Sequence, residues 1–139
     1  RDRCRRALPL ERTALVATGA SDCKIKLWRH DEQTGMWRLD LELVGHDDWV
    51  RELAWQPIVF ANQRLLVSGS QDGTVVIWTL LDGQAHTREV LHKFPCCISR
   101  ISWSLSGDLL AITCADGFVT IWQFQENHWV RIKQFLQSS

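Results

Sequence analysis

Two His-Asp pairs, His46-Asp47 and His30-Asp31, come closest in residue type to a metal-binding or acid–base centre in this sequence. Hydrolase centres built on such a pair place it on helices and surround it with further ligands, and this sequence offers none at a matching spacing. His30-Asp31 lies in a polar stretch that predicts a turn. We therefore predict a structural role for both pairs and no metal site.

A nucleophile or a phosphate-binding loop is not recognisable either. Ser102 and Ser104 flank Trp103 without the glycines of a nucleophile elbow, and residues 69–73 lack the spacing and the following helix of a phosphate loop. The five Cys residues are odd in number and contain no CxxC pair, which favours buried reduced thiols in a cytosolic or nuclear protein over a zinc site. We expect no catalytic residue, no cofactor and no enzyme activity.

Composition narrows the class of partner. The chain has 139 residues, of which 45% are hydrophobic and 23% charged, and its formal net charge is zero. This balance supplies a core but gives no general attraction to nucleic acid or to a membrane surface. No apolar run approaches the ~18 residues of a membrane span. The Arg-rich residues 1–12 are predicted to be a solvated loop, and the absence of an initiating Met suggests a segment of a longer protein.

Asp22, Asp72 and Asp116 have the side chain of a general acid, but they recur at one position of a repeated pattern. Each stands six residues before a Trp, in the segments ATGASDCKIKLW (17–28), VSGSQDGTVVIW (67–78) and AITCADGFVTIW (111–122). Successive Asp residues are 50 and 44 residues apart, and so are successive Trp residues. A register that agrees at both ends indicates an internal repeat, so we assign these Asp residues to turns.

Each copy of the pattern predicts two strands joined by a tight turn, and the flanking segments predict further strands. Four short antiparallel strands per copy, at this spacing, are close to the ~40–45 residues of a WD-repeat propeller blade. No stretch has helical periodicity. The sequence therefore predicts an all-β fold, a WD-repeat β-propeller fragment of about three blades. These are a partial blade of three strands in residues 1–45, a full blade in 46–95 and a full terminal blade in 96–139.

WD-repeat blades often bury a chain of four polar side chains, and the resemblance implies that the middle blade contains one. Its members would be His46 before the blade, Ser68 on the second strand, Asp72 in the turn and Trp78 on the third strand. Loss of one member would leave its partners unsatisfied, at a cost of roughly 1–3 kcal/mol.

The other two blades depart from this set. In the first blade the position of the His would precede residue 1, and the members that remain are Thr18, Asp22 and Trp28. The third blade retains Asp116 and Trp122, whereas Phe94 and Ile112 stand where His46 and Ser68 stand in the middle blade. Because both polar members are replaced together, we predict apolar packing at that place.

Several segments are more specific than a general WD repeat. They include HDDWVRELAWQP (46–57) and LHKF (91–94), together with IKLW (25–28), GMW (35–37), SQDGTVVIWT (70–79), ISWS (101–104) and VTIWQFQENHWV (119–130). In these segments the chain is similar to the last blades of the small propeller subunit of the COPII outer coat, which also serves in the nuclear-pore scaffold.

That resemblance implies an open six-bladed propeller with a gap, which a large helical-repeat partner completes by inserting strands of its own. It implies a role in ER-to-Golgi transport and pore assembly, at cytoplasmic ER exit sites and the nuclear envelope. Membrane contact would be peripheral, through the coat, and nucleic acid would not be bound directly. The outer strand of the terminal blade would be the partner edge, with Trp129, Val130, Ile132 and Phe135.

A second function remains open at this point. A WD-repeat adaptor that binds short peptides on its top surface, such as the substrate receptor of a ubiquitin ligase, would share the same blades. Trp37, Trp49 and Trp129 are not used by the repeat core, and either partner contacts or core filling would explain them.

Overall fold

The computed structural model describes residues 2–8, 15–58, 63–81 and 87–137, and residues 2–8 are described by their backbone alone. Within these ranges the chain forms twelve β-strands joined by turns. The described part of the chain contains no helix, and so no helix that could cross a membrane. The predicted all-β class is confirmed.

The strands form three antiparallel four-stranded sheets, each with its strands in chain order. The first sheet consists of β1 (Asp2–Leu8), β2 (Leu15–Ala20), β3 (Lys24–His30) and β4 (Trp37–Val44). The second consists of β5 (Val50–Trp55), β6 (Gln63–Ser70), β7 (Thr74–Leu81) and β8 (Thr87–Lys93). The third consists of β9 (Ile98–Trp103), β10 (Leu109–Cys114), β11 (Phe118–Gln125) and β12 (His128–Leu136).

The prediction of a loop over residues 1–12 was wrong, and so was the count of three strands in the first sheet. Strand β1 pairs with β2 from Asp2 opposite Ala20 to Leu8 opposite Leu15, with one irregularity near its start. The segment has few β-branched or aromatic residues, so its composition does not indicate a strand. The free edge of β2 supplies the backbone hydrogen bonds, and this tertiary pairing outweighs the weak local preference.

Strand β7 shows why the central sheet is apolar on both faces. Its side chains alternate, so that Val76 and Trp78 join the apolar cluster shared with the first sheet, and Val75 and Ile77 join the cluster shared with the third. All four are 3% exposed or less. The sheets therefore pack side by side as wedges, each covering the flank of the next.

The turn after each repeated Asp places one residue in the left-handed region. Gly73 and Gly117 have φ of +90° and +91°, and in the first sheet the equivalent residue is Cys23, with φ of +69°. A side chain is strained in this conformation, whereas glycine adopts it freely. The first sheet therefore carries a local strain that the other two avoid.

We expect Cys23→Gly to raise the free energy of unfolding by about 1 kcal/mol, because it relieves this strain. Chemical denaturation followed by tryptophan fluorescence would measure the change. Cys23→Ala is the matched control, since it removes the thiol but keeps a Cβ. A gain of equal size in Cys23→Ala would contradict the conformational explanation.

Candidate functional site

The centre of the second sheet contains a buried chain of hydrogen bonds. The indole Nε1 of Trp78 on β7 donates to Ser68 Oγ on β6 over 2.8 Å. The same oxygen shares a 2.6 Å bond with Nε2 of His46, which lies in the connection after β4. Ser68 and Trp78 are completely buried and His46 is 6% exposed. These hydrogen bonds attach the loop that contains His46 to strands β6 and β7.

Asp72, the fourth predicted member of this set, makes its hydrogen bonds elsewhere. Its Oδ1 accepts from the backbone N–H of Thr74 over 2.9 Å, and its own N–H donates to Ser70 Oγ over 3.3 Å. Burial would raise the pKa of Asp72, but the bonds from Thr74 and Ser70 and the nearby His46 hold it below the ordinary value. Nδ1 of His46 is buried without a hydrogen-bond partner among the described residues.

His46 makes the stability of the protein depend on pH. Burial lowers the pKa of His46 from 6.5 to about 4, which outweighs the opposite influence of Asp72 and Asp47. As the pH falls below 6.5, His46 becomes protonated in the unfolded chain, whereas in the folded chain it stays neutral until about pH 4. Stability from this group is therefore lost between those values and is fully present above pH 6.5.

We expect the free energy of unfolding to be about 2 kcal/mol lower at pH 5 than at pH 8 because of His46. Urea unfolding at both pH values would measure the change. His46→Gln is the comparison, because it removes the titrating ring and retains hydrogen-bonding groups. The variant should show a shallower dependence on pH, and an equal dependence would mean that other groups cause the loss.

The first sheet repeats part of this arrangement. Trp28 Nε1 donates to Thr18 Oγ1 over 3.0 Å, and Asp22 accepts from the N–H of Lys24 over 3.1 Å. Trp28 is only half-buried, because it lies on the flank of the first sheet that faces away from the second. The polar pair therefore survives without the full enclosure seen around Trp78.

In the third sheet, apolar packing takes the place of these buried hydrogen bonds. Phe94 and Ile112 are buried in the cluster between the second and third sheets, and the ring of Phe94 meets Trp122 edge-on at 6.3 Å. Sequence reasoning missed the partner of the indole: Trp122 Nε1 donates to Thr120 Oγ1, 2.8 Å away on the same strand. The signal was present, since residues two apart on a strand share a face.

The repeated Asp of the third sheet has the same local role as the other two. Asp116 accepts from the N–H of Phe118 over 3.1 Å, two residues further along, as Asp22 and Asp72 do in their turns. The three carboxylates therefore hold turns closed. Asp116 also lies beside the Cys96 thiol, whose pKa is raised by burial and by this carboxylate, so the thiol stays protonated at neutral pH.

The other candidate groups of the sequence also make local contacts. His30 packs against Trp37 at 5.0 Å, and Asp31 accepts from the N–H of Gln33 and pairs with Arg38 at 3.3 Å. Burial raises the pKa of Cys114 to about 11, so its thiol stays protonated at neutral pH. Among the described residues no three His, Cys, Asp or Glu side chains are placed to hold a metal ion.

The predicted partner edge is divided between the two sides of the third sheet. Val130 and Phe135 pair with Gln123 and Val119, on the flank that faces away from the second sheet. Trp129 lies on the opposite side, where its ring meets Trp103 at 5.6 Å. Ile132, 47% exposed, occupies the irregularity in the pairing of β11 with β12.

Of the two other tryptophans that the repeat left unexplained, both are partly exposed. Trp37 is 46% exposed and Trp49 is 39% exposed, whereas Trp129 is half-buried. Trp129 therefore packs with part of its ring against the core, and the first two contribute surface.

Three antiparallel four-stranded sheets, each with an Asp turn and an indole that donates to a hydroxyl, define the blades of a WD-repeat propeller. The family model for the WD domain, G-beta repeat, matches residues 37–79 and 88–123. The chain belongs to the WD-repeat family, as its sequence predicted.

Among curated relatives the chain is similar to proteins with SEC13 in their names, two of which are named for protein transport. It is 43% identical over 106 residues to protein transport protein SEC13 of Phaeosphaeria nodorum, which covers 76% of this chain and 34% of that protein. It is 39% identical over 119 residues to the human protein SEC13 homolog, covering 84% and 37%. It is 39% identical over 116 residues to protein transport protein sec13 of Schizosaccharomyces pombe, and the match covers 82% of this chain and 39% of that protein. The chain thus spans between 34% and 39% of the length of these relatives.

Proposed function

We propose that this chain is part of a non-enzymatic scaffold subunit of the COPII vesicle coat, in ER-to-Golgi transport, and of the nuclear-pore scaffold. Its propeller would pair with a large helical-repeat protein that completes the ring. Two of the relatives, at 43% and 39% identity, are named for protein transport, which supports the coat role. The single observation that carries the proposal is an apolar flank of the third sheet on which no other described sheet packs.

This flank, which we call the free flank, is the side of the third sheet turned away from the second. It carries Ile121 on β11 and, on β12, Val130 and Phe135. Ile121 and Val130 are half-buried and Phe135 is 42% exposed. The equivalent side of the second sheet is buried against the third by Val75 and Ile77, so this flank has the character of an interface between blades.

Inserted strands would suit such a flank for two reasons. A neighbouring blade would bury the apolar side chains, which contributes about 25 cal/mol per Å² of apolar surface removed from water. Strand β12 is also the outer edge of its sheet, with backbone groups available to an added strand. The proposal therefore places the partner on the free flank and along β12.

The remaining features support a role without catalysis. The polar side chains that first suggested chemistry hold turns and loops in place, as the bonds of His46 and Asp72 illustrate. Through the coat the subunit would lie at ER exit sites on the cytoplasmic side, and through the pore scaffold at the nuclear envelope.

Truncation of the protein after Asn127 removes β12. We expect the truncated protein no longer to copurify with the helical-repeat partner that the full-length protein binds. Because loss of a strand also threatens folding, Phe135→Glu provides a second test, which we expect to weaken binding at least tenfold. Leu105→Glu is the matched control, since Leu105 is 94% exposed in a turn of the same sheet and away from the free flank. Affinity purification with mass spectrometry identifies the partner, and titration measures its affinity.

Two outcomes would contradict the proposal. One is unchanged binding of the partner by a folded Phe135→Glu variant. The other is recovery of ubiquitin-ligase subunits in place of a helical-repeat coat or pore protein, which would favour the adaptor function.

A further inference from the structure

A second surface lies on the opposite side of the third sheet from the free flank. A cavity of about 780 Å³, which we call the rim groove, lies there between residues of the second and third sheets. Its walls come from Leu65 and Ile77 of the second sheet and from Phe124 and Trp129 of the third. This volume is within the ~300–1,000 Å³ of ligand pockets in proteins.

Hydrogen bonds between the two sheets keep the rim groove in shape. Gln56 Nε2 donates to the carbonyl oxygen of Gly107 over 2.8 Å, and Trp103 Nε1 donates to the carbonyl oxygen of Ala54 over 3.2 Å. Gln56 and Gly107 themselves line the groove. Because side chains of one sheet are bonded to the backbone of the other, the walls are positioned before any ligand arrives.

One wall of the rim groove is aromatic. The ring of Trp129 meets Trp103 and Phe124 edge-on, with centroids 5.6 Å and 5.4 Å away. Phe124 is 52% exposed. These contacts hold both rings in fixed orientations beside the cavity, available to a further group.

The charged side chains among the described residues that line the rim groove are acidic. Glu89 on β8, which is exposed, and Asp108, in the turn between β9 and β10, both line it. No Lys, Arg or His is among the described residues that line it. Asp108 accepts hydrogen bonds from the hydroxyls of Ser106 and Ser104, and these bonds lower its pKa, so it is ionised at neutral pH.

We propose that the rim groove binds an extended peptide segment of a partner protein through an Arg or Lys side chain. The aliphatic stem of that side chain would lie against Phe124 and Trp129, and its charge would face Glu89 and Asp108. Cations are attracted to aromatic faces and to carboxylates alike, whereas a phosphate group would be repelled. This binding site is separate from the free flank and does not depend on the proposed coat function.

An array of immobilised octapeptides would test the proposal with the full-length protein, fluorescently labelled. Each peptide carries Arg, Lys, Gln or Glu at its centre, flanked by varied apolar residues. We expect the labelled protein to bind to the spots that carry Arg or Lys peptides and not to those that carry Glu peptides. The best Arg peptide, titrated in solution, should lose about tenfold in affinity with Glu89→Gln and again with Phe124→Ala. Its binding should also shift the indole N–H resonance of Trp129, assigned with Trp129→Phe.

Glu42→Gln is the matched control, because Glu42 is an exposed carboxylate on β4 of the first sheet. Its affinity for the Arg peptide should equal that of the wild type. Three results would overturn the proposal: equal retention of Glu and Arg peptides, no peptide bound at 1 mM (on the order of the weakest specific affinities), or equal loss of affinity in Glu42→Gln and Glu89→Gln. If Phe135→Glu disrupts binding of the helical-repeat partner and leaves the affinity for the Arg peptide unchanged, the two surfaces act independently.

Discussion

Gly73→Ala is expected to lower the free energy of unfolding by about 4 kcal/mol, from a forced contact and a strained backbone together. Gly73 has φ of +90°, and a Cβ there would lie 2.2 Å from the carbonyl oxygen of Phe94 and 2.7 Å from that of Cys96. Both contacts are to backbone, which cannot move as a flexible side chain does. The N–H of Phe94 also donates to the carbonyl oxygen of Gly73 over 2.8 Å, so relief of the contact would break this bond.

Gly35→Ala separates the two causes. Gly35 has a similar φ of +73°, but a Cβ there would meet nothing within 4 Å. We expect this variant to lose only about 1 kcal/mol, the cost of a left-handed backbone with a side chain. Urea denaturation of both variants measures the difference, and similar losses would show that contact with the Phe94 carbonyl is unimportant.

Ser68→Ala is expected to cost about 3 kcal/mol, because two buried groups lose their partner at once. The hydroxyl of Ser68 accepts from the indole of Trp78 and shares a bond with His46 Nε2. Ser68 and Trp78 are 0% exposed, so water does not reach the indole N–H in the folded protein. Thermal and urea unfolding would measure the loss.

Ser102→Ala provides the control for this change, because Ser102 is exposed on β9 and should lose less than about 0.5 kcal/mol. A double-mutant cycle of Ser68→Ala with Trp78→Phe then isolates the bond itself. The coupling energy should lie near 1–2 kcal/mol. Additive losses would mean that Ser68 stabilises the sheet through packing rather than through the indole.

The hairpins of the repeat were predictable because their turn chemistry and alternation are local. Strands β6 and β7 follow from the turn at residues 71–73 and from the alternation that ends at Trp78. Strand β1 was not predictable, since it carries no copy of the repeat and owes its conformation to pairing with β2. Local pattern therefore indicates hairpins well and innermost or edge partners poorly.

The polar contacts show a similar limit. The spacing between Ser68 and Trp78 places them on neighbouring strands, and their bond was predicted from the blade pattern. The separate bonds of Asp72 depend on side-chain rotamers in the turn, which the spacing does not specify. The rim groove is lined by residues of two sheets and depends on the exposure of Phe124, and neither is a property of a single segment.

The alternation of β7 has a consequence for how the protein denatures. A single strand provides part of the wall of both apolar clusters, through Val76 and Trp78 on one side and Val75 and Ile77 on the other. If the central sheet unfolds, the apolar side chains of the first and third sheets that pack against it become exposed to water at the same time. The three sheets should therefore melt in one cooperative transition, and a substitution at any of these four positions should shift that transition without splitting it.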